Sequence, residues 1–207
     1  MGFYDRLGNP RHEQLAIGDG RGGPIEELNK AFQTTQPEMG DEARLPPWLN
    51  GVGAKMDPDY FKKIMVNGVD DRPYMQARMP GFGAVAADLN EVFARVDKLP
   101  VIGPVSLTET DAKVKTHGRM LVGGTAFGCI KCHTFAGNKA EGVQGIDMAI
   151  MTKRLRRDWF FAYVNDPQAV RPGTRMPAAL KEGKSVIDDV LEGKANNQIE
   201  AIWRYLA

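Results

Sequence analysis

A chain of 207 residues with 43% hydrophobic residues and a formal net charge of +1 has the size of one large or two small globular domains, with enough apolar side chains for a core. No uninterrupted apolar run approaches the roughly 20 residues a membrane span needs. Residues 1–100 carry 12 Lys and Arg against 15 Asp and Glu, and residues 101–207 carry 15 against 11; this falls short of the basic excess that nucleic-acid binding demands, but suits steering toward an acidic protein partner.

Residues 1–24 are rich in Gly, Asp and Arg and read as loop. From Pro24 to Phe32, a proline at the start, acids in the first turn and apolar residues at helical spacing predict a short helix. Asp57, Pro58 and Asn67-Gly68 supply an N-cap, an N1 proline and a stop for a second helix. Residues 84–96 place Val85, Leu89, Val92, Phe93 and Val96 on one face, as an amphipathic helix would. Residues 99–104 read as a linker, and further helices are expected over 111–123, 157–165 and 197–206, with a short apolar segment at 146–152. Period-two alternation is almost absent, so the chain reads as all-α.

Both cysteines fall in Cys129-Ile130-Lys131-Cys132-His133, a C-x-x-C-H motif. Two thiols three residues apart can each add to a vinyl group of a porphyrin, leaving the adjacent imidazole beneath the iron, so the motif reads as attachment of one covalent haem c. A redox C-x-x-C would want a strand-turn-helix context, and a structural zinc site would want a fourth ligand. The other histidines, His12 and His117, are distant in sequence.

A haem iron with a proximal histidine needs a sixth ligand, and Met176 in Arg171-Pro172-Gly173-Thr174-Arg175-Met176-Pro177 is the candidate, with Met148 or Met151 as alternatives. Pro172 and Pro177 would stiffen that loop. Together with Trp159 and the Asn165-Asp166-Pro167 segment before it, this region resembles class I c-type cytochromes over roughly residues 111–207. The resemblance implies His133 and Met176 as iron ligands, with the carbonyl of Ile146 accepting the His133 Nδ1 proton. It also implies Trp159 beside a haem propionate, unless it is a plain core aromatic, and a helix crossing at Gly118 with Trp203 or Tyr205. Arg175 and its basic neighbours would pair with propionates, meet a partner or simply be solvated.

At an offset of 99 residues the first half repeats the second: Lys55-Met56 falls on Arg154-Leu155, Tyr60-Phe61 on Trp159-Phe160 and Arg72-Pro73 on Arg171-Pro172; two residues later in register, Arg78-Met79-Pro80 meets Arg175-Met176-Pro177. The expectation is therefore two tandem cytochrome c-like helical domains, 1–100 and 101–207, only the second with haem. For the first, three roles are open: a haem-free structural or docking domain, non-covalent haem between His12 and Met79, or a different ligand in the vacated space.

The function expected is electron transfer by a single low-spin His/Met haem c, as a carrier rather than an enzyme, exchanging electrons with a redox partner protein. A haem peroxidase or a gas or redox sensor is the alternative. Haem c is attached outside the bacterial cytoplasm, so a periplasmic or other extracytoplasmic site is expected; residues 1–10 do not form a signal peptide, so the chain is expected to be a mature form or part of a longer exported protein.

Overall fold

The computed structural model describes residues 33–37, 39, 43, 47, 49–98, 101–172, 174–181 and 183–207. The expected loop at 1–24, the helix at 24–32 and His12 lie outside them. Among the described residues the chain is mostly helical: α1 (Val52–Lys55), α2 (Pro58–Asn67), α3 (Leu89–Val96), α4 (Asp111–Val122), α5 (Met151–Arg154), α6 (Arg157–Asn165), α7 (Pro167–Val170) and α8 (Ala195–Leu206). A two-residue antiparallel hairpin, β1 (Leu180–Lys181) and β2 (Lys184–Ser185), is an element that periodicity does not signal. No described helix is long and apolar enough to cross a membrane.

Local chemistry sets the helix ends. The Asp57 carboxylate accepts from the Asp59 and Tyr60 N–H groups at 3.1 Å, Pro58 occupies the first turn, and Gly68 closes α2 with φ 74°. Asp166 caps α7 through the Ala169 N–H at 3.0 Å, with Pro167 as its first residue.

Packing is dominated by α4 and α8, which cross at Gly118. A Cβ there would run into the Ala201 carbonyl oxygen and come within 2.6 Å of Tyr205 Cβ, so only glycine permits this approach. Tyr205 occupies the crossing; Trp203 packs instead on Phe160, ring centroids 5.1 Å apart. Val114, Leu121, Phe161, Ile199 and Ile202 are almost completely buried around this contact, each worth about 1.5–3 kcal/mol of transfer free energy. The same core runs without interruption into Phe61, Ile64 and Met65 of α2. The Gln198 amide, buried in α8, donates to the carbonyls of Ile187 at 2.6 Å and Val190 at 2.7 Å and so ties down the segment before the helix.

One expected face behaves differently. The segment 84–96 divides into a 3-10 turn, Ala84–Ala86, and α3, and among its apolar residues Val85, Val92 and Val96 are 91%, 55% and 76% exposed. Phe93 alone of the five packs inward, edge-on to Phe61 at 5.5 Å. The reason is the docking of α1, whose Gly53 lies directly on the Phe93–Ala94 backbone and so covers a single turn of α3.

Two helix pairs recur at the 99-residue offset. Helices α1 and α2 begin at 52 and 58, and α5 and α6 at 151 and 157. The extended residues between them, Met56 and Leu155, form an antiparallel bridge with each other. Its two hydrogen bonds, Asp57 N to Arg154 O at 3.0 Å and Arg156 N to Lys55 O at 2.9 Å, are exchanged by the offset, so a local two-fold axis passes between the copies.

Candidate functional site

The C-x-x-C-H segment follows directly on α4. Gly128 enters it with φ 70°, a left-handed conformation that suits glycine, and Cys129–Lys131 form a 3-10 turn. The Cys129 carbonyl accepts from the N–H groups of both Cys132, at 3.1 Å, and His133, at 2.9 Å, which gathers the two thiols and the imidazole on one turn. Both thiols are free; Cys129 is half-buried and Cys132 exposed. Burial pushes the Cys129 thiol up to about 11, helped by Cys132 and opposed by a backbone hydrogen bond. That is the reverse of the depressed thiol of a disulfide-exchange motif.

His133 is fixed from the far side by the segment 144–148. Its Nδ1 lies 2.7 Å from the Ile146 carbonyl oxygen. A carbonyl only accepts, so Nδ1 carries the proton and Nε2 keeps its lone pair for a metal or another acceptor role. Burial holds the imidazole below its ordinary pKa, against the Ile146 hydrogen bond and the Asp147 charge, which favour protonation. Gly145 makes the approach possible: its N–H donates to the Cys132 carbonyl at 2.8 Å, and a Cβ would strike that oxygen and stand 3.2 Å from Nδ1. Asp147 then pins the following loop by accepting from the N–H groups of Ala149, Ala136 and Gly137 at 2.8, 3.0 and 3.3 Å. Partial burial raises its carboxyl, but those three hydrogen bonds outweigh it and leave the group below the usual carboxylate range.

Met176 lies half-buried in the irregular segment after α7. Thr174 anchors that segment: its hydroxyl is 2.8 Å from the Tyr163 hydroxyl of α6 and accepts from the Met176 N–H at 3.3 Å, while the Gln168 amide donates to its carbonyl. Met148 and Met151, the alternative thioethers, are buried in the core. Arg175 is exposed.

Trp159 and Pro172 line a cavity of about 570 Å3 shared with the first half. Trp159 stacks on Tyr163 at 4.7 Å, with the Lys55 ammonium 4.7 Å above its ring. Arg154 of α5 crosses there to Asp71, 3.0 Å away, and Asp71 also accepts from the Tyr60 hydroxyl. Sequence reasoning missed Asp71, and its only signal was its place beside Arg72 in the repeat.

Among the described residues no three His, Cys, Asp or Glu side chains are grouped to hold a metal ion. His117 pairs with Glu109 at 2.8 Å. No family model, curated protein or solved structure matches the chain.

Proposed function

We propose that the chain is an electron carrier with one haem c bound covalently through Cys129 and Cys132, with His133 and Met176 as the axial donors. The observation that carries this reading is the single turn that collects both thiols and His133, with Nδ1 held by the Ile146 carbonyl and Nε2 left as the lone-pair atom. Such a ring would offer Nε2 as a ready ligand to the haem iron. When bound, a haem of this kind cycles between ferric and ferrous states by one electron.

Each residue then has a defined task. Cys129 and Cys132 would hold the haem through thioethers, since an S–H group can add across each of two vinyl double bonds without any change of oxidation state. The Ile146 carbonyl fixes the imidazole tautomer and raises its basicity. Met176 supplies a soft, neutral thioether, which favours the ferrous form and a high potential. Pro172, Pro177 and the Thr174 anchors restrict the loop that presents it. In this reading residues 101–207 are the haem-bearing cytochrome c-like domain and 1–100 a cysteine-free copy, supported by the helix pairs repeated at 99 residues. The partner is a redox protein and the setting extracytoplasmic, where haem c is attached.

Intact mass and optical spectroscopy test the proposal together. The mass should exceed that of the polypeptide by one haem, and Cys129→Ala/Cys132→Ala should abolish the increment. The oxidised protein should be low-spin, with a sulfur-to-iron charge-transfer band that disappears in Met176→Ala. A high-spin spectrum in the unsubstituted protein would remove the His/Met assignment in favour of a peroxidase or gas sensor, and a mass without the increment would remove haem c altogether.

A further inference from the structure

The cavity at the junction of the two repeats has a lining that the electron-transfer reading does not use. Most of its apolar lining comes from the first half, with Met56, Phe61, Ile64, Val69, Met79 and Phe82, and Trp159 adds to it from the second. Among the described residues five cations line it: Lys55, Arg72 and Arg78 from the first half, Arg154 and Arg171 from the second. Lys55 is held well below its ordinary value by burial first and then by the charges of Arg154, Arg72 and Arg171. Burial likewise lowers Arg72, with Tyr74 and Asp71 acting against it and Arg154 and Arg171 with it.

Among the described residues two carboxylates line the same cavity, and both are engaged. Asp71 is bound by Arg154 at 3.0 Å and by the Tyr60 hydroxyl at 2.7 Å, and Asp70 lies 3.3 Å from Arg78. Among the described lining residues, then, positive charge exceeds negative in a partly desolvated space, an arrangement that an anionic ligand would relieve. The volume falls in the range of small-molecule sites, and guanidinium forks match carboxylates in pairs.

We propose that this cavity binds an amphiphilic molecule with an apolar body and two carboxylates on one edge, the body against Phe61, Ile64 and Met79 and the carboxylates toward Lys55, Arg72, Arg154 and Arg171. The inference does not depend on haem at His133. It gives the cysteine-free half a ligand of its own, held jointly by both copies of the repeat.

Calorimetric titration of the full chain with 2-dodecylsuccinate tests it. Saturable binding to one site is expected, weakened at least about tenfold in Arg72→Gln and in Lys55→Met, less in Arg72→Lys, and unchanged in Arg95→Gln on α3. Dodecanol and succinate, each lacking one half of the chemistry, should bind at least about tenfold more weakly than dodecylsuccinate. Protoporphyrin IX, which carries its two carboxylates on one edge of a flat body, is the second arm: tighter binding than dodecylsuccinate with the same Arg72→Gln loss identifies a flat ligand, weaker binding a flexible one. The proposal is overturned if neither probe saturates, if dodecanol binds as tightly as dodecylsuccinate, or if Arg72→Gln, with an unchanged melting temperature, binds as well as the parent.

Discussion

Gly145 is the smallest residue around His133 and controls its geometry. A methyl group at Gly145 collides with the Cys132 carbonyl and crowds Nδ1, so Gly145→Ala must push the 144–148 segment outward and stretch the bonds to Cys132 and from His133 to Ile146. Overpacking of this kind costs about 1–3 kcal/mol, which at this chain length lowers the melting temperature by roughly 2–4 °C per kcal/mol. In the NMR spectrum the His133 Nδ1 proton should move upfield or exchange away; an unmoved resonance would show that Ile146 does not hold the ring. Lys55 provides a second test, through pH. Its folded pKa lies below the ordinary 10.5, so between the two values the unfolded chain keeps a proton that the folded chain has lost, and stability rises with pH across that window. Below the window the buried ammonium is charged in both states and its full penalty is present. Lys55→Met should therefore stabilise the protein at neutral pH by about 1 kcal/mol and flatten the alkaline rise, read as the variant-minus-parent difference in urea unfolding, which cancels the opposite effect of Tyr60. The hydrogen bond from His133 to Ile146 was legible because a backbone carbonyl is specified by position alone. That of Lys55 was not, because its burial depends on Trp159 and Arg154, about a hundred residues away in the chain.

At the scale of elements, helix ends were written in short-range chemistry and helix faces only in part. Asp57-Pro58 and Asn67-Gly68 bound α2 where their capping chemistry requires. The residues of α3 share a face as their spacing dictates, yet spacing cannot say whether another element covers that face; α1 reaches only the turn at Phe93. The α4–α8 crossing lies between these cases. A glycine in mid-helix announces a close approach, and Tyr205 is the aromatic that meets it, while Trp203 turns to Phe160. Gly118→Ala puts a methyl into the Ala201 carbonyl, and relief requires the two best-packed helices to separate. The expected cost is about 3 kcal/mol or more, read as a fall of roughly 6–12 °C in melting temperature with little change in far-UV dichroism at 20 °C. A fall below about 2 °C would mean that the helices do not cross at Gly118.

For the whole molecule, the offset of 99 residues matched two helix pairs but did not tell how they meet, because no residue pattern encodes a contact between one pair and the other. In the structure each helix pair donates the same backbone hydrogen bond to the other across the Met56–Leu155 bridge, and one buried core continues through both. The side-chain counterpart is Arg154 with Asp71, which are 8% and 13% exposed and so little screened by solvent. A continuous core predicts a single cooperative unfolding transition in which tryptophan fluorescence and far-UV dichroism coincide. Asp71→Asn removes the carboxylate that offsets Arg154 and leaves the cluster of Lys55, Arg72, Arg154 and Arg171 with less to balance it; the loss should be about 3 kcal/mol. Arg154→Met strands Asp71 with Tyr60 alone, but it also removes one of the mutually repelling cations, so its cost should be smaller. With both groups replaced, neither charge is stranded, and the double variant should be more stable than the sum of the single effects by at least about 1 kcal/mol. Chemical denaturation of the four proteins closes this cycle. A coupling near zero would mean that the junction is held by its backbone bridge and apolar core alone, and that Asp71 and Arg154 act independently of each other.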